Sequence, residues 1–235
     1  MRLTAHGRAG HGMLIHDENA VTAVAEAVAR LGRHQFPVVM TEAVEHFLTA
    51  VAEETGYTLD PDSPDLDGAV AKLGSIGRMI AATLRDTANP TMLYAGYKAN
   101  VIPATASAVV DCRVLPGRLE AFEREVDEII GPDVTREWIV DLPSYETSFD
   151  GKLLDAMNAA ILAADPDART VPYMLAGGTD AKHFARLGIR CFGFAPLRLP
   201  PDLDFSALFH GVDERVPVDA LTFGAQVLEH FLLHS

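Results

Sequence analysis

The chain is short of cysteine, of positive charge and of long apolar runs, and each shortage excludes something. Cys112 and Cys191 are its two cysteines. They lie far apart and form no motif, which argues against a disulfide framework and a thiolate zinc site and fits a reducing compartment. Nineteen lysines and arginines stand against 33 aspartates and glutamates, a net charge of −14. Nucleic acids and anionic membranes need a basic face, so neither is expected as a partner. No uninterrupted apolar run approaches the roughly 20 residues of a membrane span. The opening residues, MRLTAHGRAGHG, lack the apolar core of a signal peptide. The expected location is therefore the cytoplasm. Three metal-site patterns are missing as well: H-x-D, H-E-x-x-H and C-x-x-C.

What is present reads as a globular protein. The 235 residues are 49% hydrophobic and 22% charged, enough for one large domain or two modest ones. RLTAH alternates as a strand, and GRAGHG is a glycine-rich turn around His11. Val21, Val24, Val28 and Leu31 share a helical face, with Gly32 as the expected stop. Val44, Phe47, Leu48 and Val51 repeat at helical spacing. Leu66, Val70, Leu73, Ile80 and Leu84 mark a further helix, ended by TANP. Two strands are expected around NVIP, the second with Val110, Cys112 and Val114 inward and Asp111 and Arg113 outward. Leu119, Phe122, Val126 and Ile129 mark a helix, and VTREWIVDL a strand. Setting aside the helical stretch 41–88, the order is the βαββαβ of a ferredoxin-like domain. The expected boundary lies near residue 145. Beyond it, a helix over 150–164, strands in RTVPYMLAGG and IRCFGFAPL, a short helix and a closing helix read as an incomplete piece of a parallel α/β sheet.

Among nine histidines, His34, His46, His183, His230 and His234 fall on or beside predicted helices and need no special role. His11 and His210 sit in glycine-flanked loops, where functional residues concentrate. Each also reads as a loop histidine with a local hydrogen bond. Glu53 and Glu54 are explained by a solvated helix face. GGTD, at 177–180, leads into a short helix and lets backbone N–H groups approach an anion, or is simply a tight capped turn. Arg113 offers a fork for a carboxylate and Asn100 an added donor. Pairing of Arg113 with Asp111 is the plainer alternative.

In order, GRAGHG…NAV, ANVIPATASAVVDCRVLPG, GGTDAKHFARLGI and LFHGVDERV resemble the C-terminal part of the zinc-dependent peptidase family M20. That family includes aminoacylases, glutamate carboxypeptidases, acetylornithine deacetylases and succinyl-diaminopimelate desuccinylases. The resemblance covers essentially the whole chain. It implies a ferredoxin-like lid and dimerisation domain over 1–145, with 41–88 as a helical insertion. Residues 146–235 would be the last segment of an α/β catalytic domain.

The resemblance also implies roles. His11, in the G-x-x-G-H motif, would reach a dimer partner's active site and stabilise the oxyanion. Asn100 and Arg113 would hold the substrate's carboxylate, and Gly177, Gly178 and Thr179 would form the substrate turn. His210 would be a zinc ligand in a complete enzyme that holds two zinc ions. Met13 departs from the small residue common at its place. The family's H-x-D motif, bridging aspartate and glutamate pair have no counterpart here. The expectation is thus part of an amide hydrolase for N-acyl amino acids or small peptides, homodimeric through the lid, with no zinc held and no activity by this chain alone. The alternative is a non-catalytic dimerisation or carboxylate-binding module.

Overall fold

The computed structural model describes all residues except 75, 76, 78 and 79. It divides into two compact units, one of residues 1–39 and 85–145, the other of 40–84 and 146–235. The helical stretch 40–84 is thus compact with the C-terminal segment, not with the sheet that flanks it in sequence.

The first unit holds the sheet. Strands β1 (Arg2–His6), β3 (Thr87–Ala95), β5 (Thr105–Arg113) and β6 (Val134–Glu137) form an antiparallel sheet in the order β3-β5-β1-β6. Helices α1 (Ala20–Arg33) and α4 (Leu119–Ile130) pack on it. This is the ferredoxin-like order, with the first and third strands at the centre. Alternation sets the phase of β5: Ala106, Ala108 and Val110 are buried, and Arg113 is exposed. Leu3, Ala5, Val24, Leu31, Phe122 and Val126 complete one contiguous core. Each fully buried large apolar side chain there contributes about 1.5–3 kcal/mol.

Local chemistry sets the helix ends. Asn19 caps α1, its side chain accepting from the N–H groups of Val21 and Thr22. The helix runs one residue past Gly32, and Arg30 in its last turn donates to the carbonyls of Ile129 and Ile130 at 2.7 Å each. Those are open acceptors at the end of α4. Gly131, at φ 77° and ψ 178°, ends α4 in a positive-φ conformation that glycine adopts without a Cβ penalty.

One expectation needs correction here. TANP does not end a helix; it opens β3. Pro90 is tolerated because β3 is an edge strand, where a missing N–H need not break a ladder, and the pairing shifts register between Pro90 and Met92. The buried Asp86 just before β3 accepts from the Leu115 N–H (2.8 Å) and from Arg118 Nε (3.2 Å). Burial pushes its pKa up, against the pull of those donors.

In the second unit lie α2 (Glu42–Thr55), α3 (Leu66–Ala71), α5 (Lys152–Ala164), α6 (Ala181–Ala185) and α7 (Val218–His234). The helix expected through Leu73, Ile80 and Leu84 crosses residues outside those described. Helices α5 and α7 pack together through faces that include Leu154, Met157, Ala160, Ala220 and Val227. The two strands expected at RTVPYMLAGG and IRCFGFAPL are not paired: no strand occurs among the described residues 138–235. A strand is defined by its ladder, and here the segments are held by side chains instead. Tyr173 packs on Phe47 of α2, and Arg169 pairs with Glu53. Phe194 packs on Phe231, and Arg198 lies over Phe223, both of α7. A Cβ at Gly224 would stand 2.8 Å from the Pro196 carbonyl oxygen, so glycine is what lets that segment lie on α7. No described helix is long and apolar enough to cross a membrane.

Candidate active site

The first cluster lies beyond one end of the main sheet. β1 and β5 meet there at His6 and Thr105. Past them, β2 (Gly10–His11) pairs with β4 (Val101–Ile102), His11 opposite Val101. The Gly12 N–H donates to the Asn100 carbonyl at 2.9 Å, and the Leu14 N–H to the His11 carbonyl at 3.0 Å. The Met13 N–H donates to His11 Nδ1 at 3.2 Å. In the neutral ring that leaves the hydrogen on Nε2. Asn100 Nδ2 stands 3.2 Å from Nε2. Two donors cannot bond one another, so a ring with its hydrogen on Nε2 pairs with Asn100 only where the carboxamide turns about χ2 to present Oδ1.

The G-x-x-G-H spacing has a steric basis. A Cβ at Gly7 would fall 2.4 Å from the Glu18 carbonyl oxygen. A Cβ at Gly10 would fall 2.2 Å from His16 Nε2, because the His16 ring lies over that α-carbon. His16 therefore props the strand that carries His11. Sequence reasoning missed it; the signal was a second histidine five residues on, facing a glycine.

Arg113 lies at the opposite end of β5. Eight residue steps separate it from Thr105, about 27 Å at the usual strand rise. Its Nε and Nη2 donate to the two carboxylate oxygens of Asp111 at 2.6 and 2.9 Å. Within one chain the length of β5 thus lies between Arg113 and the turn that carries Asn100. Cys112, between Asp111 and Arg113, has its pKa pushed by burial to about 11. Burial thus disfavours its thiolate at neutral pH.

The other expected residues belong to the second unit. Gly177, Gly178 and Thr179 are exposed before α6, and the positive-φ glycines do not include either glycine. A Cβ at Gly178 would meet nothing within 4 Å. Neither the conformation nor the packing of this chain requires glycine at 178. His210 follows a 3₁₀ turn, Phe205–Leu208, whose Asp204 cap accepts from the Ala207 N–H and whose Phe205 packs edge-on against Phe209. His210 is exposed and left-handed, at φ 57°. That conformation is uncommon outside glycine, with histidine among the enriched exceptions, and it is a recurrent mark of functional loops. Among the described residues no three His, Cys, Asp or Glu side chains gather into a group able to hold a metal. The donor set around His210 does not by itself fit zinc, which needs at least three protein ligands.

Residues 1–134 match the family model of the peptidase dimerisation domain, M20_dimer. The human N-fatty-acyl-amino acid synthase/hydrolase PM20D1 is 26% identical over 231 residues, covering 94% of this chain and 45% of that protein. Aminoacylase-1 of Sus scrofa is 30% identical over 159 residues, 61% of this chain and 35% of that one. The chain thus spans under half the length of these relatives. Among solved structures, the di-peptidase Dug1p of Saccharomyces cerevisiae superposes with a TM-score of 0.61 at 12% identity, over 98% of this chain and 52% of that one. An M20 family metallo-carboxypeptidase of Sulfolobus solfataricus gives 0.53 at 16% identity, over 98% and 60%. With the family's dimerisation domain matched over more than half of its length, the chain belongs to the M20 family of peptidases and related hydrolases.

Proposed function

We propose that this chain supplies the lid and part of the substrate site of an amide hydrolase. Its substrate is an N-acyl amino acid or small peptide with a free carboxylate. The observation that carries this reading is His11, whose Nδ1 accepts from the Met13 N–H, which in the neutral ring makes Nε2, beside Asn100, a donor. Such a donor stabilises the oxyanion that develops when an amide carbonyl is attacked. The first unit acts as the lid. The second belongs to the catalytic domain, with Gly177, Gly178 and Thr179 lining the substrate and His210 as one zinc ligand. The described residues gather no complete set of zinc ligands around it. The chain's own part is to bind the carboxylate, orient the amide and receive the oxyanion.

The separation of Asn100 from Arg113 favours a homodimer. One copy cannot close both ends of β5 around one small substrate, whereas a two-fold pair brings the His11 end of one lid towards the site served by Arg113 of the other. The edge strand β3, with Met92, Leu93 and Tyr94 exposed, offers the seam. In the assembled, zinc-loaded enzyme, His11→Ala is expected to lower kcat by about 10²–10³-fold, the usual cost of one oxyanion donor. An unchanged kcat would remove His11 from the mechanism. This chain alone is expected to show no hydrolysis of N-acetyl amino acids. About one zinc per chain, lost on His210→Ala, would overturn the expectation that this chain alone holds no zinc. The donor set also supports a second reading, a carboxylate-binding module without turnover. Binding of the carboxylate without hydrolysis by the assembled protein would select it.

A further inference from the structure

Directly after His11 and Gly12 come Met13, Leu14 and Ile15, which are 79%, 57% and 93% exposed. Three consecutive apolar side chains in water are unusual in a folded domain unless a ligand or partner covers them. They pack no core here, since the contiguous core of this unit includes none of them. Nor do they sit on a loose excursion. The Met13 N–H bonds the His11 ring, the Leu14 N–H bonds the His11 carbonyl, and the Gly12 N–H bonds the Asn100 carbonyl. The His16 ring over Gly10 closes the turn from the other side. The backbone that fixes the imidazole donor also presents the apolar tip, within a few residues of it.

The geometry points to Met13, Leu14 and Ile15 as the determinants of acyl-chain preference, forming an apolar rim that takes the hydrocarbon chain of the N-acyl group. This rests on the amide-hydrolase reading above. An N-acyl amino acid is polar at the amide and carboxylate and apolar along its acyl tail. With its carbonyl oxygen at His11 Nε2, the tail leaves the amide carbon directly and can run over side chains two to four positions further along the turn. Asp17 and Glu18 follow the tip in sequence and make it a poor surface for an anionic bilayer. A fully buried methylene is worth about four-fold in affinity, so a rim that covers part of the tail predicts roughly 100-fold between an acetyl and a decanoyl chain.

The test is equilibrium binding of the N-acetyl and N-decanoyl forms of one amino acid to the assembled protein, with sedimentation alongside. The wild-type affinity ratio is expected to be about 100. It should fall below about 10 in the Met13→Ser, Leu14→Ser, Ile15→Ser triple variant and recover when the three positions carry Leu, Met and Leu. Using a ratio cancels any loss of affinity common to both compounds, as from a disturbed turn. A wild-type ratio near one with both compounds bound overturns this inference alone. So does a ratio that survives the triple substitution, including the case in which the variant loses its dimer, which would assign the tip to a second copy. If neither compound binds, the amide-hydrolase reading falls and takes this inference with it.

Discussion

The two units reach stability by different routes. The first has the contiguous core and every strand of the molecule among the described residues, and its backbone groups are met by ladders. The second is built on helix pairs, and its segments 166–204 run across them with no strand ladder. Val218, Leu221, Leu232 and Leu233 of α7 are exposed, as are Leu175, Leu187 and Ile189 near the unpaired segments. A core closed by strand pairing fixes each residue through many partners, whereas segments tied down by single aromatic or ionic contacts open more easily. The comparison teaches that the family's dimerisation domain is specified by local pattern, while pairing in the second unit depends on more than local pattern.

The largest effect should come from cutting the core of the first unit. Phe122 is fully buried and packs on Phe36, with Trp138 stacked 6.4 Å away. Phe122→Ala is expected to cost about 3–5 kcal/mol, and Val227→Ala on α7 about 2 kcal/mol. Trp138 is the chain's one tryptophan, so its fluorescence follows the first unit during urea unfolding. If the two units are energetically distinct, Phe122→Ala shifts that transition and Val227→Ala leaves it in place. Equal shifts from both would make the molecule one cooperative block and break the comparison.

Asp86 comes next. Removing its carboxylate leaves the Leu115 N–H and Arg118 without their partner, so Asp86→Ala is expected to cost about 2–4 kcal/mol. Asp86→Asn keeps an acceptor for Leu115 and costs less, about 1 kcal/mol. The pH dependence has a definite sign. Burial raises this pKa on folding, so the folded chain holds the proton more tightly than the unfolded one. The contribution is complete below the ordinary aspartate value of 3.8 and is lost as pH rises through the higher folded value. The stability of wild type relative to Asp86→Asn should therefore decline with rising pH across that interval. A relative stability that grows with pH would mean that the Arg118 pair, not burial, dominates.

How much of this was legible in the sequence follows the same division. Helices α1 and α4 and strand β5 could be read from periodicity because their buried face is satisfied within a few tens of residues. Pro90 misled because its cost depends on whether the strand is at an edge, which no local pattern states. The segments 170–176 and 189–196 have strand-like composition, but pairing is a property of the neighbour. For the site, the G-x-x-G-H spacing pointed to His11, while the 27 Å (roughly) along β5 between the Asn100 and Arg113 ends appears only when strand rise is counted. His16 was legible only as packing on Gly10.

Smaller effects test the surface of the second unit. Leu232→Ser with Leu233→Ser, near the end of α7, should change unfolding free energy by no more than about 0.5 kcal/mol per site, because both side chains are already in water. Self-association, read by light scattering, should fall. A stability loss above 2 kcal/mol would mean that these residues are covered, and that the contrast between the units is overstated.

The smallest stability effect and a large functional one should coincide at Arg113. Its fork to Asp111 is short and two-pronged, but both side chains are 42% exposed. Exposed pairs contribute about 0–1 kcal/mol, because solvent screens the charges and two side chains must be held still. Arg113→Lys should therefore leave the unfolding midpoint almost unchanged. A lysine ammonium is a point charge without the planar pair of donors that matches a carboxylate. If Arg113 holds the substrate's carboxylate, the same variant should raise KM for an N-acyl amino acid about tenfold or more, the loss of roughly one charge-assisted hydrogen bond. Arg113→Ala, which removes the charge as well, should go further without added cost to the fold. A KM that stays put while stability falls would return Arg113 to the role of a partner for Asp111. The carboxylate would then have to be bound at the other end of β5, beside His11 and Asn100.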